Sequence, residues 1–504
     1  MPIDEPTPVA EIEWKFAVGD DLDLSALLAG GGPGTTVQPR GSVRLSATYY
    51  DTDDLRLARW GITLRRREGG DDAGWHLKLP LRRRERVELR LPLGTGPDAD
   101  VPAALRDLVT PYVRAAPLVA VARIETERQR VLLLDDDGRA LVELADDAVV
   151  ASRDGELIAR FREVELELLA ADADRVIRTV AKALRRAGAV PIEVPKLVRA
   201  LGQRAMAPPD VERHSWPRPG DPGGDAVRAH LAKHTRRLML ADVDVRRGEP
   251  DGVHQVRVAA RQLRAGLKAF APLVEENWAT GLRDELGWLA DAMGAARDTE
   301  VLQARLLRHA AELPGPQASR AVSVISATLQ PRLVTALDDA RSTLRSDRHL
   351  SLLAALVDAA ADPQLAKRAK RPCAEVLPDL VEEAWQRFAR RAARLELVDD
   401  AHRWHRTRLA AKSSRYTAEI ALPILGRKLL PLAEGAAEVT DLLGEEHDAA
   451  VAQDALAALA ETAGVDGAAG YALGLVAQIA AEDQRCLRER FLRRWPRIER
   501  AARA

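Results

Sequence analysis

Glu11, Glu13 and Lys15 occupy alternate positions, and so do Glu163, Glu165 and Glu167. In an extended chain every second side chain points to the same face. His76 and Lys78 follow this spacing, as do Arg86, Glu88 and Arg90, while the intervening residues are apolar. Carboxylates crowded on one face repel in water unless a cation or basic partner lies between them. Two arrangements remain open on pattern alone. One is a half-buried antiparallel sheet with its polar face in water; the other is a closed barrel with an ionic lumen and helices over its apolar outer face. No glycine-rich P-loop, HExxH helix or GxSxG elbow is present, so hydrolytic chemistry, if any, must come from the carboxylates.

A second pattern lies further along. His254, Arg257, Arg261 and Arg264 recur 151 positions later as His405, Arg408, Lys412 and Arg415. On a helix turning about 100° per residue these four positions fall within an arc of about 80° and run for about 15 Å. A charge run is usually a solvated face with acids interleaved. The stretches 254–268 and 402–416, however, contain no Asp or Glu. Two such stripes at equivalent places suit a phosphate polymer, because guanidinium gives bidentate, charge-assisted hydrogen bonds. Nucleic acid is the weaker expectation, since Trp404 and Tyr416 are the only nearby rings for base stacking. His230 and His234, spaced i, i+4, are compatible with metal ligation, but no third ligand is near. An exposed or anion-facing role is expected for them.

The elements that must position these residues divide near residue 210. Strands are expected near 9–16, 43–50, 62–67, 74–80, 86–92, 118–134, 139–150 and 156–169, about eight in all, with helices over 101–112, 172–187 and 195–203. Residues 205–224 hold five prolines and three glycines, a linker composition. Beyond them the chain is rich in Ala, Leu and Arg with helical spacing. Residues 1–204, the linker 205–224 and residues 225–504 are the expected units. The last divides into repeats of about 225–370 and 371–504, because Arg297-Asp298 also recurs as His447-Asp448. The fold class is thus α+β, an antiparallel closed barrel with outer helices followed by an all-α duplicated bundle.

Lysine and arginine total 75 against 76 acidic residues, so any polyanion site must be local. The two cysteines, Cys373 and Cys486, are far apart and fit a reducing compartment. No secretory signal or run of about 18 apolar residues occurs, and a cytoplasmic location with no membrane partner is expected.

With these residues in view, the sequence resembles a CYTH domain followed by a CHAD domain, the pairing found in bacterial inorganic triphosphatases of the triphosphate tunnel metalloenzyme group. Glu11-Ile-Glu13-Trp-Lys15 resembles the ExExK signature. Tyr49-Tyr50-Asp51-Thr52, Leu64-Arg65-Arg66-Arg67, Trp75-His76-Leu77-Lys78, the run from Arg123 to Arg128, Glu163-Val-Glu165-Leu-Glu167 and Pro195-Lys196 follow in the family's order. The repeated His-x-x-Arg-x-x-x-basic-x-x-Arg resembles the histidine-containing CHAD pattern. In the second repeat Ser413, Ser414 and His447 depart from it, and weaker binding there is expected.

The resemblance implies a tunnel in which Glu11, Glu13, Glu165 and Glu167 hold Mg²⁺ or Mn²⁺. Glu163 is a further member of the catalytic set, which includes Lys15. Arg65, Arg67, Lys78, Arg86, Arg123, Arg128 and Lys196 are implied for the substrate phosphates, with Arg44, Glu143 and Asp147 as additional candidates. Arg123 and Arg128 have opposite strand parity, so both reach one lumen only if a bulge intervenes. The implied reaction is metal-dependent hydrolysis of inorganic triphosphate or a short relative, with inorganic polyphosphate bound by the helical part. A non-catalytic protein that binds or targets polyphosphate is the alternative.

Overall fold

The computed structural model describes residues 7–10, 13–28, 35–80, 86–94, 100–461 and 465–503. Glu11, and the side chain of Arg86, fall outside the described residues. The chain forms two compact units, Met1–Asp210 and Val211–Ala504.

The first unit is built on ten strands: β1 (Thr7–Ala10), β2 (Glu13–Val18), β3 (Thr36–Asp51), β4 (Thr63–Glu68), β5 (Gly74–Pro80), β6 (Arg86–Leu91), β7 (Val119–Leu134), β8 (Ala140–Arg153), β9 (Glu156–Leu168) and β10 (Val190–Ile192). They form one antiparallel sheet in the order β1-β6-β5-β4-β3-β7-β8-β9-β2-β10. Ten strands replace the expected eight for two reasons. The segment read as one strand near 9–16 serves two neighbours, since β1 pairs with β6 whereas β2 pairs with β9. The short β10, which lacks an alternating pattern, joins β2.

Six helices accompany the sheet: α1 (Leu24–Leu28), α2 (Arg56–Arg59), α3 (Ala103–Val113), α4 (Asp174–Arg186), α5 (Lys196–Leu201) and α6 (Gln203–Met206). Gly202, at φ 66, divides the expected helix 195–203 into α5 and α6, a conformation glycine takes without steric cost. The two faces of the sheet are covered differently. Phe16, Leu144, Val164 and Leu166 pack against Ile177, Val180, Ala181 and Leu184 of α4. On the opposite face Tyr49, Ile124 and Val149 pack against Leu197 and Val198 of α5. Helix α5 therefore closes one end of the ionic face with apolar contacts and brings its first residue, Lys196, among the charges. Residues 205–210, expected as linker, are fastened to this unit: Asp210 accepts from Trp60 Nε1 at 2.8 Å and from Arg114.

The second unit comprises α7 (Gly223–Arg246), α8 (Gly252–Ala269), α9 (Glu276–Ala292), α10 (Gly294–Ala310), α11 (Gly315–Leu344), α12 (Asp347–Ala361), α13 (Cys373–Ala392), α14 (Ala401–Leu425), α15 (Leu430–Ala460) and α16 (Gly467–Arg503). Helices α7 and α8 correspond to α13 and α14, α9 with α10 to the single α15, and α11 to α16. The two copies exchange backbone hydrogen bonds at equivalent places: Gly223 N donates to Arg371 O, and Cys373 N to Asp221 O, both at 2.8 Å. Among the described residues no helix is long and apolar enough to cross a membrane.

Candidate functional site

Cross-strand register places the alternating charges in rows. Glu13 faces Glu167 across β2 and β9, and Glu167 faces Glu143 across β9 and β8. One row deeper, Lys15 faces Glu165. Deeper again, Glu163 faces Asp147, which faces Arg128 on β7. Arg128 faces Val43 of β3, and Tyr49 further along β3 faces Arg65 of β4, which faces His76 of β5. Lys78 faces Thr63 on one side and Glu88 on the other. The ionic face therefore continues through β2 to β9. It lines a cavity of about 340 Å³ that Glu13, Lys15, Arg65, Arg67, Lys78, Arg128, Glu165, Glu167 and Lys196 all border. These nine expected residues are thus brought together.

Arg123 is not among them. Its parity is that of the opposite face, where it is exposed and lies 3.5 Å from Glu125. The β3–β7 bulge, between Tyr49 and Tyr50, does not reverse it. Arg44 is turned outward for the same reason and is also exposed.

The interior is a packed ion cluster. Glu165 accepts from Lys15 at 2.7 Å, Lys196 at 2.7 Å and Arg128 at 2.6 Å. Burial alone would raise the Glu165 carboxyl, but Lys15, Lys196 and Arg128 hold it well below the usual range. Lys196 Nζ also lies 2.9 Å from Asp147 and 2.8 Å from Glu163, both fully buried. Burial opposes the Lys196 ammonium, yet Glu165, Asp147 and Glu163 together keep its pKa raised. Glu13 is lowered likewise, burial being outweighed mainly by Lys15, whose Nζ is 3.1 Å away. On the far strands Glu88 accepts from His76 at 3.0 Å and from Arg90, with Arg65 at 3.6 Å and Lys78 at 3.8 Å. Arg65 donates to Tyr49 Oη at 3.3 Å. Buried Nε atoms of Arg65 and Arg67 have no hydrogen-bond partner among the described residues. An interior donor left in this way costs about 1–3 kcal/mol.

Several members were missed at the sequence level. Arg130 borders the cavity and binds Glu143 bidentately at 2.8 and 3.0 Å; Arg90, which the alternation with Arg86 and Glu88 had marked but which was not among the expected site residues, borders it too. Asp72, in the turn between β4 and β5, pairs with Arg67, and Arg199 on α5 pairs with Glu163. The alternation that singled out His76 and Glu88 was the available signal for that pair; nothing local marks a turn aspartate. Asp51 of the Tyr49–Thr52 motif is structural: its buried carboxylate accepts from the backbone N–H of Thr52, Leu57 and Ala58, and burial lifts it to about 6.

A hard divalent cation fits these residues. Asp147, Glu163 and Glu165 each offer an oxygen, all within 4.8 Å of one another, and the Lys196 ammonium, 2.7–2.9 Å from all three, is the cation they hold here. This set shares only Glu165 with the ligands implied earlier. Glu13, Glu143 and Glu167 form a second oxygen row nearer the opening.

In the helical unit the two stripes lie on α8 and α14, which pack together. Arg257 and Arg261 act electrostatically on both Arg408 and Lys412, so the repeats merge their cations into one cluster. Burial and then Arg408, Arg261 and Arg257 push Lys412 down to about 8, against a weaker pull from Asp448. Nε of Arg261 and of Arg408 is buried with no hydrogen-bond partner among the described residues. The ends are partly neutralised: Arg257 pairs with Asp298, and Arg415 with Glu419 at 2.7 Å and Asp441 at 3.0 Å. His254 and His405 are half-buried, Arg264 is exposed, and the His405 ring lies 5.2 Å from His447. His230 and His234 are neither exposed nor anion-facing. Both are buried with ring centroids 4.5 Å apart, and His230 Nε2 lies 3.0 Å from Gln262 O. The ring fits because residue 266 is glycine; a Cβ there would come within 2.1 Å. Trp404 and Tyr416 are buried as well, which removes both rings as base-stacking platforms.

The chain matches the CYTH domain family over residues 10–199 and the CHAD domain family over residues 229–457, and it belongs to the proteins that join these two domains. It is 34% identical over 524 aligned residues to Rv2226, an uncharacterized protein of Mycobacterium tuberculosis, covering 96% of each chain. Among solved structures it is similar to PptA from Streptomyces chartreusis, with 23% identity, TM-score 0.48, and coverage of 55% of this chain and 100% of that one. The CHAD domain of the plant Ricinus communis gives 24% identity, TM-score 0.45, and coverage of 58% and 96%.

Proposed function

We propose that the first unit is a closed tunnel hydrolysing the terminal phosphoanhydride of inorganic triphosphate or a short relative, and that the helical unit binds inorganic polyphosphate. The observation that carries this reading is the convergence of Lys15, Arg65, Arg67, Lys78, Arg128 and Lys196 on the cavity that Glu13, Glu165 and Glu167 also border. In this reading residues 7–10 and 13–18 lie at the two ends of the sheet, β1 on β6 and β2 on β9. Bound Mg²⁺ or Mn²⁺ supplies charge neutralisation at phosphate oxygens, and Glu13, Glu165, Glu167 and Glu11 are the residues assigned to hold it, with Asp147 and Glu163 behind them. Arg65 and Arg67 line the cavity, where preorganised guanidinium donors favour the charge that develops in a loose transition state. Glu13 or Glu167, near the opening, orients the attacking water.

The test is phosphate release from inorganic triphosphate with and without Mg²⁺ or Mn²⁺. No turnover at all removes the enzymatic reading, and turnover that ignores the metal removes the metal from it. A second reading, binding without turnover, is favoured by Glu165, whose carboxylate is already engaged by three cations. It predicts metal-independent triphosphate binding without phosphate release.

For the helical unit the support is the pair of buried unpartnered Nε atoms on Arg261 and Arg408 within the merged cluster. A linear phosphate chain supplies many acceptors and needs no stacking platform. The absence of any membrane-crossing helix among the described residues is compatible with the cytoplasmic location we propose.

A further inference from the structure

The helical unit carries a second concentration of arginines away from the α8–α14 cluster. A cavity of about 340 Å³ is lined by Arg387, Arg390, Arg391, Arg394, Arg403 and Arg406, with Leu395 and Thr407 completing it. No carboxylate lines it. On α14, Arg403 and Arg406 lie about 160° and 100° around the axis from His405, whereas Arg408, Lys412 and Arg415 lie on the other side. The cavity therefore opens on a different face of α14 from the repeated stripe.

The duplication of the unit separates it from an ordinary solvated surface. Some exposed arginines of this unit are paired, as Arg371 is with Glu375 and Arg493 with Glu489. In the cavity Arg387 and Arg403 follow that habit, with Glu383 and Asp399. Arg390, Arg391, Arg394 and Arg406 have no ion-pair partner among the described residues. The duplication provides an internal control. The corresponding places in the first repeat are Arg237, Leu240, Ala241, Asp244, Gly252 and Gln255. The helix pair thus folds with a single arginine at these six positions, and the other five are not demanded by the scaffold. Relief of a helix dipole explains cations in the last turn of α13 but not in the first turns of α14, where the dipole opposes them.

We propose that the α13–α14 cavity is a second anion site, present in one repeat only, that holds a further stretch of the phosphate chain bound by the α8–α14 cluster. This rests on the polyphosphate reading above. Continuity comes from Lys268, one turn beyond Arg264 on α8. It lies within the field of Arg264, Arg283 and Arg387, so cations lead from the stripe to the cavity edge. Holding one polymer at two places raises the effective concentration of each contact.

The experiment uses the full chain with long-chain inorganic polyphosphate and with inorganic triphosphate. Arg391→Gln/Arg394→Gln/Arg406→Gln is compared with the stripe variant Arg257→Gln/Arg261→Gln/Arg408→Gln. The cavity variant should lose about tenfold in affinity for long chains while triphosphate turnover stays unchanged; the stripe variant should lose more. If the stripe variant loses binding and the cavity variant does not, the second site is overturned and the polyphosphate reading stands. If the wild-type chain does not bind, both fall. Independently of folding in the variants, phenylglyoxal labelling of the wild-type chain should show Arg390, Arg391, Arg394 and Arg406 protected by polyphosphate. Equal labelling with and without polymer, or protection by a single-stranded oligonucleotide alone, overturns the proposal.

Discussion

Lys196 donates to Glu165 across 2.7 Å from the start of a helix that follows the last long strand, and the same ammonium neutralises the fully buried Asp147 and Glu163. Removing one member of such a cluster leaves uncompensated interior charge, which costs about 3–5 kcal/mol. Lys196→Met is therefore expected to lower the unfolding free energy of the first unit by an amount of that size, seen as a lower melting midpoint. Added Mn²⁺ should recover more stability in the variant than in the wild type, because three carboxylates are then left to a metal. Calorimetry with and without Mn²⁺ measures both; an unshifted midpoint contradicts the cluster.

Glu13→Ala should reduce metal-dependent phosphate release from triphosphate by about a hundredfold or more, an effect of about 3 kcal/mol on the barrier. Glu167→Ala, removing the carboxylate directly opposite, should act similarly. Initial-rate measurements over a metal titration would show the loss, and full activity in both variants would exclude a role for this row.

Arg123 and Arg128 stand on one strand and face opposite ways. Arg128→Ala is expected to raise the triphosphate KM and lower kcat, while Arg123→Ala leaves both within about twofold, as for an exposed pair worth at most about 1 kcal/mol. Equal losses in the two variants would contradict the register of β7.

Reversing Arg257, Arg261 and Arg264 to Glu should abolish most polyphosphate binding, and wild-type affinity should fall steeply with salt, as expected where bound cations release counterions. Titrations at two salt concentrations test this. Salt-insensitive binding, or affinity that survives the reversal, would identify the stripe as a solvated surface.

The pH dependence of that binding is set partly by Lys412. Its pKa in the folded chain, about 8, lies below the ordinary 10.5. Between these values the unfolded chain holds the proton more firmly, so the contribution of Lys412 to stability rises with pH. An anion among the same cations favours the charged amine, so affinity should fall as pH rises past about 8. Lys412→Gln should flatten both trends while weakening binding at neutral pH. A pH series of affinities and melting midpoints in wild type and variant checks the sign.

Much of this arrangement was legible before any coordinates. Period-two alternation placed Glu13, Lys15, Glu163, Glu165 and Glu167 on one face because the pleat leaves no other choice, and the acid-free stripes located α8 and α14. What escaped depended on partners distant in sequence. Nothing around Asp72 announces that Arg67 will meet it, and Lys196 owes its place to the apolar docking of Leu197 and Val198. His230 and His234 looked accessible because their spacing ignores Gly266, which lies on another helix. Splitting the first strand was equally invisible, since β1 and β2 have the same alternation and differ only in which neighbour each pairs with.

That split has a bearing on how the chain is made. Lys15 meets Glu165 only across 150 positions of chain, and β1 takes its place against residues 87–90. Both contacts are non-local, of the kind that slows folding. Until β9 has formed, Trp14 and Phe16 of β2 lack the partner strand that covers them, so chains truncated before β9 should be prone to aggregate.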